Sequence, residues 1–288
     1  MSAVTDIGRV RHSNEDYVRV AELIRNGRRL GIWAVADGVG GGPKGELASQ
    51  TAVDTVVGYL AEQSWTDPAV ALTEAIGIAG SKVYEITGDG AAATTLVVAL
   101  VAEMNGTVVI ANVGDSRAYL VASGVATQIT RDHSIVAARV EAGQITAAEA
   151  RKALDRNVVT RAVGSELQAE VDLFGPLTLL PDQRLILCSD GVHGMIEDTE
   201  IAQLAGLPIA ESAAALVAAA LDAGGRDNAT ALVGGFEPVA EADAEGEDAA
   251  AAAPEAARGP SPSDPPTVRR SPRQSIAAAI TRSRPSHD

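Results

Sequence analysis

The chain has 288 residues, 46% of them apolar but only 3% aromatic, and a formal charge of -15. That is enough for a substantial aliphatic core, while the acidity argues against a nucleic-acid binder, which needs basic stripes to displace counterions from phosphates. Cys188 is the one cysteine, so no intrachain disulfide forms; the N-terminus is polar and charged, without a signal-peptide pattern, and no uncharged run approaches bilayer length. The expectation is a cytoplasmic monomer that meets neither membrane nor nucleic acid.

In chain order, the stretch 6–16 mixes acids with two arginines, unlike a core strand. It reads as a solvated arm, or as a segment that turns Arg11 toward a phosphate. An apolar run at 32–36 then predicts a strand that ends at Asp37 and meets a glycine-rich turn, GIWAVADGVGG. Helical spacing follows over 46–63 and 68–86, with Ala52, Val53, Val56, Val57 and Leu60 on one stripe, which suggests an antiparallel helix pair. Runs at 94–102, 107–112, 117–122, 184–189 and 229–236 are rich in Val, Leu, Ile and Thr, as strands are, and Asn105-Gly106 signals a hairpin between the first two. Strands in meanders with helices grouped apart predict an α+β fold of antiparallel sheets covered by helices. Past Pro238 large apolar residues nearly vanish, so the expected division is a folded domain over 1–238 and a disordered tail over 239–288, acidic at 241–255 and basic at 258–284.

Three carboxylates stand out. Asp37 and Asp190 each end an apolar run and are followed by glycine, and Asp227 opens RDNATALVGG. Acids held at strand ends can converge on one hard cation. The loop at 37–42 fails as a phosphate-binding P-loop, because Lys44 is followed by Gly45 rather than Ser or Thr, and as a dinucleotide fingerprint, because the acid precedes the glycines. A carboxylate with a bare neighbouring carbonyl suits Mg²⁺ or Mn²⁺; a plain structural turn is the competing reading. Asp115, in a turn between strands, is placed either to pair with Arg117 or to reach a cation. Cys188 reads as a buried strand residue, since the arginine that a cysteine phosphatase needs six positions on is Gly194.

Taken together, Asp-x-Gly-x-x-Arg-x-x-Asn-Glu-Asp at 6–16, Asp37-Gly38-x-Gly40-Gly41, Thr94-Thr95, Val113-Gly114-Asp115-Ser116-Arg117, Asp132-His133-Ser134, Thr160-Arg161-Ala162-x-Gly164, Ser189-Asp190-Gly191 and Asp227-Asn228-x-Thr230 occur in an order that closely resembles the bacterial branch of the metal-dependent protein phosphatases of type 2C. The resemblance spans residues 3–236. It implies a four-layer αββα sandwich and Mn²⁺ or Mg²⁺ as cofactor, two ions with room for a third. In this resemblance Asp37 bridges two ions, Gly38 contributes its backbone carbonyl, Asp190 and Asp227 complete the second ion's ligands and Glu15 acts through ordered water. Arg11 matches the phosphate-binding arginine, Asp115 the acid that with Asp190 holds a looser third ion, and 134–159 a flap beside the site.

The implied activity is hydrolysis of phosphoserine and phosphothreonine by direct attack of a metal-bridged hydroxide, with phosphorylated proteins as partners and a serine/threonine kinase as the opposing activity. Departures from the family pattern are Val39, where eukaryotic relatives place a histidine acid, Ala91, Ala92 and Ala93 in place of small glycines, and His193 in place of an apolar residue. Protonation of the leaving oxygen is left to a metal-bound water, with His12 and His133 poor candidates. Competing readings are a catalytically inert phosphoprotein-binding module and a phosphatase switch of an anti-sigma pathway.

Overall fold

Ile32, Ala34 and Ala36 face one way and Trp33 and Val35 the other, and this period of two decides the layering. The computed structural model describes residues 1–88 and 90–236. Its strands are β1 (Ser2–Asp6), β2 (Asp16–Arg25), β3 (Arg28–Val39), β4 (Ala93–Thr94), β5 (Leu96–Ala102), β6 (Thr107–Val113), β7 (Arg117–Ala122), β8 (Val125–Gln128), β9 (Asp172–Thr178), β10 (Arg184–Cys188) and β11 (Ala229–Gly234). They form a five-stranded sheet in the order β1-β11-β10-β7-β8 and a six-stranded one in the order β2-β3-β5-β6-β9, with β4 beside β3; every named pair is antiparallel.

Three apolar clusters fill the gaps between four layers. Leu96, Val98 and Leu100 of β5 pack with Ile32 and Ala34 under the helices α1 (Pro43–Glu62) and α2 (Pro68–Thr87). Val97, Ala99 and Val101 point instead between the sheets, against Leu185 and Leu187 of β10. Ile186, Cys188, Ala231 and Val233 face the opposite helical layer, made of α5 (Asp190–His193), α6 (Asp198–Ala205) and α7 (Ile209–Asp222). Strands buried on both faces need apolar residues at every position, which is why β5 and β10 read as unbroken runs rather than alternating ones.

The expected fold class and strand grouping hold. Pro43 at the first turn starts α1 three residues before the expected boundary, since its fixed φ suits that position, and Thr95 breaks the run at 94–102 into β4 and β5. The N-terminal stretch is no solvated arm throughout: Asp6 ends β1 and Asp16 begins β2. The segment expected as a flap, 134–159, carries α3 (Ile135–Glu141) and α4 (Ala147–Ala150) and precedes β9. Arg151, just after α4, donates to the carbonyls of His193 and Ile196, at 3.1 and 3.3 Å, and so ties that segment to the α5–α6 layer. Among the described residues no helix is long and apolar enough to cross a membrane. The tail expected over 239–288, and the boundary at 238, lie outside the described residues.

Candidate metal and phosphate site

Each sheet delivers acids to the same end of the sandwich. Asp37 lies near the end of β3, registered against Asp16 of β2. Its N–H donates to Thr95 Oγ1 at 3.0 Å and its carbonyl accepts from Thr94 Oγ1 at 2.9 Å and Thr95 N–H at 2.8 Å, so the Thr94-Thr95 pair clamps the backbone that carries the carboxylate. From the other sheet, Asp190 follows β10 and Asp227 precedes β11, its hydrogen-bonded neighbour. Asp115 sits in the β6–β7 turn, where the chain crosses between sheets.

The alternatives for Asp115 resolve through Arg117. That guanidinium donates to both oxygens of Asp132, at 2.6 to 3.1 Å, and to Tyr119 Oη at 2.7 Å, leaving Asp115 to face the cavity. Burial opposes ionisation of Asp132, yet Arg117 holds its carboxyl below the ordinary range.

A cavity of about 150 Å³ is lined by Arg11, Glu15, Asp37, Gly38, Asp115, Asp190 and Asp227, all seven residues singled out from the sequence. Asn157 and Val159, from the segment expected as a flap, also line it. Arg11 Nη2 donates to Asp227 Oδ2 at 2.7 Å, and Glu15 accepts from Gly42 N–H at 2.6 Å. Gly38 is required by space: a β-carbon there would run into the carbonyl of Gly45 at the start of α1, with Glu15 O at 2.9 Å.

The electrostatics are those of a cation site. Burial, and then the neighbouring carboxylates Asp16, Asp190, Asp115 and Asp227, push Asp37 well above the usual carboxylate range. Asp190 and Asp115 are raised by burial in the same way, Asp190 next by Asp227 and Asp115 next by Asp190. Asp190 Oδ1 is buried with no hydrogen-bond partner. Among the described residues no three acids are already closed into a coordination shell, and Asp227 is turned onto Arg11. The donors are oxygens only, with one orphaned and several costly as anions, and this set fits hard divalent cations. It offers no thiolate or imidazole cage: Cys188 is buried away and pushed up to about 12 by burial.

Sequence reasoning assigned no role to Asp16, His193 or Asn228. Asp16 Oδ2 accepts from Ser189 Oγ at 2.7 Å and Thr230 Oγ1 at 2.6 Å, bridging the two sheets beneath the acids. Its place beside Glu15 in the 6–16 motif was the available signal. His193 Nε2 lies 3.0 Å from the carbonyl of Asp115, and burial drives its pKa down to about 3, so the neutral ring donates and fixes the turn. Asn228 Nδ2 donates to the carbonyls of Ile7 and Ser13, at 2.9 Å each, and its Oδ1 accepts from Glu15 N–H at 2.9 Å. That side chain pins the connector carrying Arg11 to the end of β11. His12 is exposed, and His133 is buried with Nδ1 accepting from Gly114 N–H and Nε2 3.2 Å from Asp172, so neither is aimed at the cavity.

Two stacked antiparallel sheets under helical layers, with buried acids and an arginine at one end, define a metal-dependent phosphatase of the type 2C class. The chain belongs to this family: the protein phosphatase 2C model matches residues 9–230. It is 36% identical over 242 residues to the serine/threonine phosphatase Stp of Listeria monocytogenes, covering 80% of this chain and 92% of that protein. The serine/threonine phosphatase PstP/Ppp of Mycobacterium tuberculosis superposes with a TM-score of 0.70 at 32% identity, over 82% of this chain and 98% of that one. The catalytic domain of a serine/threonine protein phosphatase PstP, solved in complex with two manganese ions, superposes with a TM-score of 0.67 at 32% identity, over 81% and 95% of the two chains. The protein is thus a serine/threonine phosphatase of a metal-dependent family.

Proposed function

We propose that this phosphatase holds two Mn²⁺ or Mg²⁺ ions through Asp37, the Gly38 carbonyl, Asp190 and Asp227, with Glu15 acting through water and Asp115 joining Asp190 at a looser third position. The observation that carries this reading is the convergence of Asp37, Asp190, Asp115 and Asp227 on one small cavity, with Asp190 Oδ1 buried and unpartnered. When bound, the ions supply an acidified water for in-line attack on phosphorus and neutralise the charge of the phosphoryl oxygens. Arg11, half-exposed at the cavity mouth, holds the phosphate through charge-assisted hydrogen bonds once its guanidinium leaves Asp227. Asp16 and the two hydroxyls below it hold the strand ends in register, so the acids are aligned before substrate arrives.

Substrates in this reading are phosphoserine and phosphothreonine proteins, and a serine/threonine kinase is the opposing enzyme. An inert binding module has no use for clustered buried acids, which cost stability unless a cation joins them. With Mn²⁺ added, the protein is expected to hydrolyse a phosphothreonine peptide, and chelator or Asp37→Asn to abolish turnover while circular dichroism stays native. Turnover that survives both would refute the proposed site.

A further inference from the structure

A second cavity, about 940 Å³, opens beside the small one and shares with it Arg11, Asp115, Asn157, Asp190 and Asp227, so the two are one continuous depression. The larger part runs beneath the flap. Three of its guanidinium groups are already paired: Arg11 with Asp227, Arg117 with Asp132, and Arg151 with Glu197 and Asp198. Four further cations on its wall, Arg131, Lys152, Arg156 and Arg226, are exposed and have no ion-pair partner among the described residues. Glu141 is the one acid on the wall that is both exposed and unpaired.

This local balance inverts that of the chain, which has 38 Asp and Glu against 23 Lys and Arg. A scatter of surface charges drawn from that composition would place more acids than bases around the groove. The cations also come from separate parts of the chain: Arg131 precedes α3, Lys152 and Arg156 follow α4, and Arg226 precedes β11. The tie of Arg151 to the α5–α6 layer holds Lys152 and Arg156 over the depression. An acidic protein body repels acidic substrates, and cations gathered at a concave mouth reverse that repulsion where it matters, by focusing the field.

We propose that the groove selects phosphopeptides whose residues flanking the phosphorylated serine or threonine are Asp or Glu. This rests on the phosphatase reading above: the phosphate enters the small cavity at Arg11 and the flanking chain lies along the large one, its carboxylates met by Arg131, Lys152, Arg156 and Arg226. Rim charges of this kind act on encounter and affinity rather than on the chemical step.

The test uses the full-length protein with Mn²⁺ and three phosphothreonine peptides of equal length, flanked by Glu, Ala or Arg. At low ionic strength kcat/KM for the Glu peptide is expected to exceed that for the Arg peptide about tenfold, carried by KM, with the gap shrinking as salt shortens the screening length. Arg131→Glu with Lys152→Glu should remove or reverse the ranking. Hydrolysis of p-nitrophenyl phosphate, which has no flanks, reads the chemistry separately. Equal kcat/KM on Glu and Arg peptides by a protein that turns over p-nitrophenyl phosphate would overturn the groove and leave the phosphatase reading intact. No turnover of any substrate with Mn²⁺ would overturn the phosphatase reading and the groove with it.

Discussion

Arg11 and Asp227 meet at 2.7 Å, and this one contact would join substrate recognition to metal binding in the proposed site. The hydrogen bond to Asp227 raises the arginine pKa, so the guanidinium is a permanent cation at the mouth. In the proposed site each ligand would take one member of this pair, the phosphate the arginine and the cation the acid. Arg11→Ala removes a fork that gains strength as charge builds on the phosphoryl oxygens, and kcat/KM for a phosphopeptide should fall by about 10²–10³. Arg11→Lys keeps the charge but not the two-pronged geometry and should recover only part of that loss, read from steady-state kinetics of the three forms. Asp16 works differently: it is buried, raised to about 7 chiefly by that burial, and its Oδ2 accepts from Ser189 and Thr230 while the residue stays out of the cavity lining.

At the scale of elements, the site depends on how closely α5 crosses the end of β11. Gly191, one residue after Asp190, sits against the backbone of Asn228, one residue after Asp227, and a β-carbon there would fall inside the Asn228 carbonyl. Backbone cannot swing aside as a long side chain can, so Gly191→Ala must push the two acids apart. The expected outcome is a loss of about 1–3 kcal/mol in denaturant unfolding, typical of overpacking, together with weaker Mn²⁺ affinity in titration calorimetry. Loss of stability with unchanged metal affinity would show that Asp190 and Asp227 do not share an ion. The N-terminal connector is held by a parallel logic, since the Asn228 side chain donates to Ile7 and Ser13 and accepts from Glu15.

For the whole molecule, the clustered acids set a link between metal, pH and stability. Asp37, Asp115 and Asp190 have folded pKa values raised above their unfolded ones, so the metal-free native state keeps protons that the unfolded chain has lost. Its stability therefore falls as pH rises through that window. His193, lowered to about 3, acts in the opposite sense only below its unfolded value of 6.5. Chelated protein should accordingly melt at lower temperature at about pH 8 than at about pH 6.5, and Mn²⁺ should raise Tm more at the higher pH, where fewer protons must be displaced. A metal-induced rise in Tm that ignores pH would count against these carboxylates as the ligands. Deleting residues 239–288, a stretch with almost no large apolar residue, should leave peptide hydrolysis and Tm nearly unchanged.

Strands β5, β6, β7, β10 and β11 and helices α1 and α2 were legible because burial on both faces, or a long apolar stripe, writes a continuous pattern into the residues. Strands β1, β2, β8 and β9 are half-buried or lie at sheet edges, and α5 and α6, at four and eight residues, are too short for a stripe to stand out, so their patterns were too weak to read alone. All seven candidate site residues were likewise visible as acids, a glycine and an arginine within ordered motifs. Residue order alone pointed to the chemistry, since the seven candidate site residues picked from those motifs are oxygen donors and one guanidinium fork, Arg11. Which acids face one another was decided by tertiary structure: Asp115 goes to the cavity because Arg117 takes Asp132, and Asp16 goes to hydroxyls from distant strands. The pairing of Asp16 with Thr230 joins positions 214 apart along the chain, and no local pattern can record such pairings, because they depend on which strand ends the two packed sheets bring together.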